Sequence, residues 1–399
     1  MLINSYIGPT IKGGPGAEGY LLATDLYRRG VLGKVYCYGA ESGMKIPSSV
    51  LVPYCTSKIQ SGALRILNRA SKRYPILRGR RRIEQRMDKW FANHLDDTAG
   101  DILYSPKPLY PRTFKRAKHL GIRVAVETSV LHPRFNLDVV TDERKRLNLK
   151  GAAGYTDPVR VQYIENALDL ADVIFAWSPF IRESYIRYGI NGSKLLLASN
   201  NCEPPGVDLT RFTPPVNDEN KIFQVLHISS ITIIKGVQYL LDAWKKVANK
   251  IQGELVLVGE LDRDMRAIIN RYNSHGIKLV GPTNKPEEYY RKASVFVSPS
   301  ISDAGPRTVL ESMACRVPVI VSDRCGISTS IKSGENGFVY HYNDTDRLAE
   351  LIEWFYINRN QAHELGQAAL DTVKGYSVMN YSTDVWSRIC SLDTKQNDN

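Results

Sequence analysis

Residues 295–323 read VFVSPSISDAGPRTVLESMACRVPVIVSD, and this stretch decides the fold. It opens with a short apolar run of strand character, Val295–Ser298, and closes with a second one, Val317–Ser322. A Gly-Pro loop and a helical pattern lie between them, which is the order of a strand, a helix and a parallel strand. Asp303 stands at the start of the loop, and Glu311 stands on the helix eight residues later.

The same alternation of short apolar runs and helical patterns extends over most of the chain, which predicts an α/β fold with parallel sheets. A stretch rich in Pro, CEPPGVDLTRFTPPVNDE from Cys202, divides it. We predict two doubly wound domains, 1–203 and 204–375, with a C-terminal helix at 376–395 joining the first. The predicted strands are Leu2–Ile7, Lys34–Tyr38, Ile102–Tyr104, Arg123–Val126 and Val173–Trp177, then Ile222–Ile228, Glu254–Val258, Lys278–Val280 and the two above; predicted helices include Gly19–Arg29, Val159–Ala171 and Tyr376–Leu392.

The composition is that of a globular protein. The 399 residues suffice for two domains at about 100–200 residues each. With 43% hydrophobic and 24% charged residues, wholesale disorder and collagen-like or disulfide-scaffold classes are excluded. Six cysteines without a C-x-x-C pair favour reduced thiols in a cytoplasmic setting. The first residues, LINSYIG, read as a strand rather than a leader, and no run of about 18 apolar residues predicts a membrane span.

The net charge of +12 predicts an anionic partner. Much of it lies in 65–89, within RILNRASKRYPILRGRRRIEQRMDKW, where cations alternate with Leu, Ile, Tyr and Trp. This pattern is typical of a membrane-surface element, although a solvated helical face would also produce it. Nucleic acid is a poorer match because no nucleic-acid-binding motif accompanies the charge. We predict peripheral contact with an anionic membrane surface and no nucleic acid.

A glycine-rich loop follows the first predicted strand. GGPGAEGY, from Gly13, holds Gly14, Gly16 and Gly19 in the G-x-G-x-x-G spacing. In a dinucleotide fold the first glycine follows the strand directly, whereas Gly8–Lys12 intervene here. The loop suits either a structural turn or backbone approach to a phosphate, and a NAD(P)-dependent oxidoreductase stays open on this spacing alone.

The second half carries a more specific constellation. Lys235-Gly236 opens a helix after a predicted strand, where a lysine meets an anion with the helix dipole behind it. A carboxylate can accept hydrogen bonds from two vicinal hydroxyls, so Glu311 and Asp303 can hold a ribose and a sugar on either side of a diphosphate. The backbone of 304–308 at the start of the helix can face the phosphates. The further candidates for phosphate binding are therefore Gly305, Pro306, Arg307 and Thr308.

Metal and hydrolase chemistry have weaker support. Asp262-Arg263-Asp264 has the D-x-D spacing, but its place after LVLVGE fits a helix-starting loop with an N-cap acid better. The seven histidines show no ligand spacing, and no G-x-S-x-G elbow exists. We therefore predict no metal and no cofactor; lysine, arginine and helix amides would neutralise a leaving group.

At this point the sequence resembles the family 4 retaining glycosyltransferases of the GT-B fold (glycosyl transferases group 1). The matches run in order from Pro205-Gly206-Val207-Asp208 through Lys235-Gly236, Val258-Gly259 and Val280-Gly281 to the acid pair and SGENGFV at Ser333–Val339. The first half matches more loosely, through Gly13-Gly14 and ADVIFAWS at Ala171–Ser178.

The resemblance implies roles for individual residues. Glu311 would bind the nucleotide ribose, Lys235 the diphosphate and Asp303 the donor sugar. The turn after Gly281 would bind the base, and Gly14, beside Gly13, would face a phosphate. A histidine after a central strand of the first domain commonly contacts the donor sugar; RVAVETSVLHP supplies His132, with Glu127 as second candidate.

Three positions depart from the family pattern. Asp303 stands where glutamate is usual and is one methylene shorter, Ser230 stands where an arginine precedes the lysine, and Arg316 stands where glycine is common. The resemblance implies a two-domain enzyme with a central cleft and a hexosyltransferase-type reaction that moves a sugar from a nucleotide diphosphate sugar to an acceptor hydroxyl with retention. In this family the first domain faces the acceptor, so the basic residues of 65–89 indicate a lipid-linked or cell-surface glycan precursor. A catalytically silent binding protein with this fold is the other alternative, motivated by Asp303 and Ser230.

Overall fold

The computed structural model describes residues 3–8, 17–39, 45–56, 79–97, 100–149, 157–198, 206–216, 222–272, 276–376 and 378–394. The chain divides into two compact units. Unit 1 comprises residues 1–137, 152–200 and 382–399, and unit 2 comprises residues 138–151 and 201–381.

Unit 1 is built on a seven-stranded sheet in the order β3-β2-β1-β4-β5-β6-β7, and every strand pairing in it is parallel. Buried strands such as β4 and β6 carry apolar residues on both faces, as a sheet covered by helices on both sides requires. The strands are β1 (Ile3–Gly8), β2 (Val35–Gly39), β3 (Leu51–Cys55), β4 (Ile102–Ser105), β5 (Arg123–Thr128), β6 (Val173–Ala176) and β7 (Leu195–Leu197).

Most helices in the first 200 residues follow a strand. Asp157 and Ser178 each begin one of them as an N-cap whose side chain accepts a backbone hydrogen bond. The helices are α1 (Ala17–Arg28), α2 (Gly79–His94), α3 (Pro111–His119), α4 (Pro133–Arg146), α5 (Pro158–Leu170), α6 (Pro179–Arg187) and, near the C-terminus, α13 (Val378–Thr394).

Unit 2 has a six-stranded parallel sheet in the order β10-β9-β8-β11-β12-β13. Its strands are β8 (Phe223–Ile228), β9 (Gly253–Val258), β10 (Ile277–Gly281), β11 (Val295–Ser298), β12 (Val319–Ser322) and β13 (Phe338–Tyr340). Its helices are α7 (Val237–Val247), α8 (Arg263–Ile269), α9 (Glu287–Tyr290), α10 (Arg307–Ala314), α11 (Thr345–Ile357) and α12 (Arg359–Val373).

The side chains of β8 show how unit 2 is covered on both faces. Phe223 and Val225 belong to one apolar cluster, with Trp244 of α7, whereas Leu226 belongs to another cluster, with Val309 of α10. Successive residues of a strand point to opposite faces, so each face has its own layer of helices. The prediction of doubly wound α/β domains is confirmed.

Residues 138–151, from the second half of α4 onward, belong to unit 2. The Glu143 carboxylate is buried and accepts hydrogen bonds from Gln238 Nε2 (2.9 Å) and from the Tyr239 hydroxyl (2.8 Å). Arg144 forms an ion pair with Asp264. A buried carboxylate is stable only when it is paired and hydrogen-bonded, so this segment is an integral part of the core around α7.

Candidate active site

The strand order of unit 2 places a crevice between β8 and β11. The chain continues from β8 to β9 on one side of the sheet and from β11 to β12 on the other side. The loops that follow the carboxyl ends of β8 and β11 therefore diverge. In open α/β sheets ligands bind at such a switch point. Lys235 follows β8 and Asp303 follows β11, so two of the predicted residues reach the crevice from its two sides.

Lys235 and Asp303 form an ion pair. The Nζ atom lies 2.5 Å from Oδ2, and the side chains are 27% and 11% exposed. Ser300 Oγ also donates to that oxygen, at 3.3 Å. The backbone of Asp303 is fixed by two hydrogen bonds: its N–H donates to the carbonyl oxygen of Arg324, and its carbonyl oxygen accepts from the N–H of Gly326. A cation and a fixed carboxylate therefore meet at the crevice, where the first can bind phosphate and the second a hydroxyl.

Gly236 is required for this approach. Its φ is 69°, in the left-handed region that favours glycine, and a Cβ atom there would lie 1.7 Å from the carbonyl oxygen of Pro299. Only glycine lets the loop that carries Lys235 pass so close to the end of β11. Lys235 itself ends the 3-10 turn Ile233–Lys235, directly before α7.

Glu311 lines a pocket of about 250 Å³. The Tyr290 hydroxyl donates a hydrogen bond to Glu311 Oε2 at 3.0 Å. Burial raises the pKa of the Glu311 carboxyl, whereas this hydrogen bond and the charge of Arg307 lower it. The pocket residues are Gly206, Val207, Asp208, Arg211, Phe212, Pro286, Arg307 and Glu311. Glu311 is thus a carboxylate with one oxygen held by tyrosine, at the wall of a cavity that can take a ring-sized group.

The segment that follows the predicted base-binding turn reaches the same pocket through Pro286. It leaves β10 at Gly281, whose φ of 81° again suits glycine. Arg211 fixes the following segment, because its Nη2 donates to the carbonyl oxygen of Asn284 at 2.6 Å and it pairs with Glu287. Pro286 then lines the pocket beside Glu311. Pro286, five residues after Gly281, and Glu311 thus line one pocket of unit 2.

Helix α10 begins at the same place. Its N-cap residue, Pro306, makes no side-chain capping bond. Gly305 precedes it, Arg307 is exposed and Thr308 is half-buried in the first turn. Backbone N–H groups at a helix start attract anions because they coincide with the positive end of the helix dipole. The predicted phosphate-facing backbone therefore starts the helix that carries Glu311.

The candidates of the first half lie in unit 1 or outside the described residues. Gly13 and Gly14 lie outside them. Glu127 is buried near the end of β5, and one carboxylate oxygen accepts a hydrogen bond from Trp177 Nε1. That bond explains why an acid is tolerated in a central strand.

His132 directly precedes α4, which begins at Pro133. Its Nδ1 accepts a hydrogen bond from the backbone N–H of Arg134 at 3.3 Å, and its ring stacks on Tyr188 with centroids 4.9 Å apart. Its Nε2 lies 4.0 Å from Glu165 Oε1, and the side chain is only 1% exposed. A sugar contact by His132 requires these packed neighbours to move, and that role stays a prediction.

The D-x-D motif has the structural role that its position indicates. Asp262 caps α8 by accepting a hydrogen bond from Met265 N at 2.7 Å, and Asp264 is paired with Arg144. The N-cap interpretation is confirmed. Among the described residues no group of three or more His, Cys, Asp or Glu side chains is arranged to hold a metal ion.

His227 and Ser229, at the end of β8, were not predicted. His227 Nδ1 lies 2.8 Å from the carbonyl oxygen of Val297, and its Nε2 lies 2.7 Å from Ser229 Oγ. Burial lowers the pKa of His227 to about 4. The signal in the sequence was the histidine of FQVLHI, a largely apolar run whose other polar residue is Gln224, because a buried polar side chain in a central strand needs hydrogen-bond partners.

The basic stretch at residues 65–89 is described only in part. Residues 65–78 lie outside the described residues, and α2 covers the rest. Met87 and Phe91 of α2 are buried, so its apolar face is used in the core of unit 1. The cations Arg82, Arg86 and Lys89 are exposed at helical spacing on its other side. In this helix any membrane contact would thus be electrostatic.

Helix α3, which packs beside α2, adds to this charge. Its apolar residues are buried, and its exposed residues are Arg112, Lys115, Arg116, Lys118 and His119. Across the described residues, no helix combines the length and apolar character needed to cross a membrane.

Known proteins resemble both the sequence and the fold. D-inositol 3-phosphate glycosyltransferase of Arthrobacter sp. (strain FB24) is 28% identical over 191 residues, which are 43% of this chain and 45% of that protein. The chain spans about half the length of the curated relatives it matches. Anabaena HepE, solved in complex with UDP, has the same fold. The match has a TM-score of 0.65 and 14% sequence identity, and it covers 97% of this chain and 100% of that one.

Sucrose-phosphate synthase from Thermosynechococcus elongatus also shares the fold. This match has a TM-score of 0.68 and 16% sequence identity, and it covers 98% of this chain and 100% of that one. With these neighbours the fold is GT-B, as predicted. The family model of the glycosyl transferases group 1 matches residues 210–372, the part of unit 2 that holds Lys235, Asp303 and Glu311.

Proposed function

We propose that this protein is a retaining glycosyltransferase that moves a sugar from a nucleotide diphosphate sugar to an acceptor hydroxyl. The observation that carries the proposal is the grouping of Lys235, Asp303 and Glu311 around one switch point and its adjoining pocket, within the part that matches the family model. The UDP bound to HepE, a protein of the same fold, supports a nucleotide donor.

The geometry suggests how a donor is held. Glu311 accepts hydrogen bonds from the ribose hydroxyls with the carboxylate oxygens that face the pocket. The diphosphate takes the place of Asp303 as partner of Lys235, aided by Arg307 and the N-terminal amides of α10. Asp303, released from the ion pair, accepts a hydrogen bond from a sugar hydroxyl. One lysine thus exchanges a carboxylate for a phosphate, which keeps its charge neutralised throughout.

The reaction needs no strong protein base. The acceptor oxygen forms a bond to the anomeric carbon on the face from which the phosphate oxygen leaves. The acceptor's proton passes to that phosphate oxygen, and the products are a glycoside and a nucleoside diphosphate. The protein's contribution is to neutralise the leaving group through Lys235 and helix dipoles, which are fixed before the charge develops. The reaction is proposed to proceed without a metal ion.

The acceptor is proposed to be a lipid-linked or cell-surface glycan precursor, met by a peripheral protein on the cytoplasmic side of a membrane. The exposed cations of α2 and α3 support this proposal. The segment between Glu41 and Glu84 adds to it, because it contains no acidic residue that could neutralise its lysines and arginines. Each cation near an anionic leaflet contributes about 1 kcal/mol to binding.

A ligand screen tests the donor site. UDP-, GDP- and ADP-sugars are compared with NAD and NADP by thermal denaturation of the wild type, Glu311→Ala and the control Glu335→Ala, which alters an exposed carboxylate elsewhere in unit 2. We expect a nucleotide sugar to stabilise the wild type and Glu335→Ala. Its affinity for Glu311→Ala should fall roughly 10- to 150-fold, the cost of a lost charged hydrogen bond.

Other outcomes identify the rivals. Stabilisation by NAD or NADP alone would favour an oxidoreductase that uses the Gly14 loop. Binding of a nucleotide sugar without any release of free nucleotide over hours would favour a catalytically silent binding protein. If no nucleotide sugar binds, or if Glu311→Ala binds as well as the wild type, the transferase proposal is wrong.

A further inference from the structure

A chain of two hydrogen bonds crosses the switch point of unit 2. It runs from the carbonyl oxygen of Val297, on β11, to His227 Nδ1 (2.8 Å), and from His227 Nε2 to Ser229 Oγ (2.7 Å). His227 is 2% exposed, while Ser229, two residues later, is half-buried at the carboxyl end of β8. The chain therefore connects the interior of the sheet to the crevice.

The direction of these bonds follows from the chemistry of their members. A carbonyl oxygen can only accept, so His227 Nδ1 must carry the proton. The ring is neutral near pH 7 because burial lowers its pKa, and Nε2 is then a bare acceptor. The Ser229 hydroxyl has two possible acceptors, His227 Nε2 at 2.7 Å and the Ser230 carbonyl oxygen at 3.1 Å. The proton is assigned to the bond with Nε2, the nearer of the two.

This assignment leaves Ser229 Oγ with only lone pairs to offer a ligand. A diphosphate is also an acceptor, so the two would not form a hydrogen bond. A sugar hydroxyl has a proton to donate. The serine also lies at the same switch point as Lys235 and Asp303, whose charges both act on His227. Its chemistry and position therefore point to the sugar rather than to the phosphates.

We propose that Ser229 accepts a hydrogen bond from a hydroxyl of the transferred sugar and that His227 is the positioning residue that fixes the serine proton. The inference rests on the proposed function, because it assigns a sugar contact within the same donor site. It adds a residue pair that selects donors by the hydroxyl they present, beside the shortened carboxylate of Asp303.

The hydrogen-bond direction can be tested without any ligand. Nitrogen-15 NMR of histidine-labelled protein at pH 7 reports which ring nitrogen carries the proton. We expect His227 to have a protonated Nδ1 and a bare Nε2, identified by the signals that His227→Gln removes. The Nε2 signal should also shift in Ser229→Ala, which identifies the ring independently if His227→Gln fails to fold. A proton on Nε2 would overturn the assignment.

The ligand is tested by binding measurements on Ser229→Ala, Ser229→Thr and the control Ser193→Ala, which alters an exposed serine in unit 1. The nucleotide sugar that stabilises the wild type is compared with its free nucleoside diphosphate. We expect Ser229→Ala to bind the sugar donor roughly five- to tenfold more weakly and the free diphosphate within twofold of the wild type. Ser229→Thr, which keeps a hydroxyl, should restore most of the loss.

The other outcomes of the binding measurements on the Ser229 variants would overturn the sugar contact or the proposed function. Equal losses for both ligands would place Ser229 on the diphosphate and overturn the sugar contact, and no loss for either would also overturn it. A wild type that binds free nucleoside diphosphates but no nucleotide sugar would refute the proposed function, and with it the ligand of Ser229. In that case the NMR result would still decide whether His227 fixes the serine proton.

Discussion

Arg316, the residue after the C-terminus of α10 and its cap, has a φ of 61°. An L-residue with a side chain pays about 1–2 kcal/mol in this left-handed region, which glycine occupies freely. We expect Arg316→Gly to have a free energy of unfolding roughly 0.5–1 kcal/mol higher than that of Arg316→Ala, since added freedom of the unfolded chain offsets part of the gain. Both variants lose the arginine side chain and only Arg316→Ala keeps the strain, so urea unfolding of the two measures the difference.

His227 should make stability depend on pH. Its pKa is about 4 in the folded protein, well below its ordinary value near 6.5. The unfolded chain therefore binds a proton at a pH where the folded protein does not, so stability is lost as the pH falls from about 6.5 to about 4. Between pH 7 and pH 4 we expect the wild type to lose about 3 kcal/mol more than His227→Phe, measured by urea unfolding. Parallel pH profiles would contradict this expectation.

Helix α3 begins with a cap supplied by another helix. Its own N-cap residue, Tyr110, makes no side-chain capping bond. The buried carboxylate of Asp88, on α2, instead accepts from the backbone N–H groups of Arg112 (3.0 Å) and Thr113 (2.9 Å). The Tyr163 hydroxyl of α5 donates to the same carboxylate. One side chain therefore ties three helices together.

Replacing Asp88 should destabilise unit 1. Asp88→Ala leaves two backbone donors and a tyrosine hydroxyl without their acceptor, so we expect a loss of about 3 kcal/mol in the free energy of unfolding. Chemical denaturation followed by circular dichroism measures it. Asp97→Ala, which removes an exposed carboxylate from the chain after α2, is the matched control and should change stability by less than about 0.5 kcal/mol. Equal effects of the two substitutions would contradict the capping role.

Among the described strands, every central strand could be predicted from the sequence, whereas three of the four edge strands could not; the exception is β10. Most central strands are largely apolar, as VFVS of β11 and VIVS of β12 show, and the structure places them within one or two residues of the predicted bounds. The three strands without a prediction, β3, β7 and β13, all lie at sheet edges. An edge strand has one neighbour, can be as short as three residues and tolerates Pro53, so its pattern is weak.

The site shows a similar division. Lys235, Asp303 and Glu311 could be found from motif spacing, because each follows a recognisable strand or lies on a recognisable helix. The ion pair between the first two joins residues 68 positions apart, and the bond from His227 to Val297 joins residues 70 apart. Such pairings depend on β8 lying beside β11, which spacing along the chain does not reveal.

The net charge of +12 predicts that the protein binds anionic vesicles and that this binding weakens as the salt concentration rises. The cations of α2 and α3 are exposed, so removing two of them in Arg86→Gln/Lys115→Gln should cost about 2 kcal/mol, a roughly 30-fold loss of affinity. Sedimentation with phosphatidylcholine vesicles, with and without phosphatidylglycerol, measures it. The control Lys245→Gln/Lys332→Gln removes two exposed cations of unit 2 and should bind as the wild type does.

Vesicle binding that is insensitive to salt, or that needs no anionic lipid, would contradict this expectation. Equal losses for the test and control variants would show that total charge, rather than the surface of α2 and α3, determines binding. The membrane proposal would then be wrong, while the donor site would be unaffected.

The assignment of residues 138–151 to unit 2 has a consequence during synthesis on the ribosome. Glu143 is synthesised 58 residues before the body of unit 2 begins at residue 201. Gln238 and Tyr239, which donate hydrogen bonds to it, emerge later still. The nascent chain therefore cannot complete its two units one after the other, and a gene fragment that starts at residue 201 would encode a unit 2 without part of its own core.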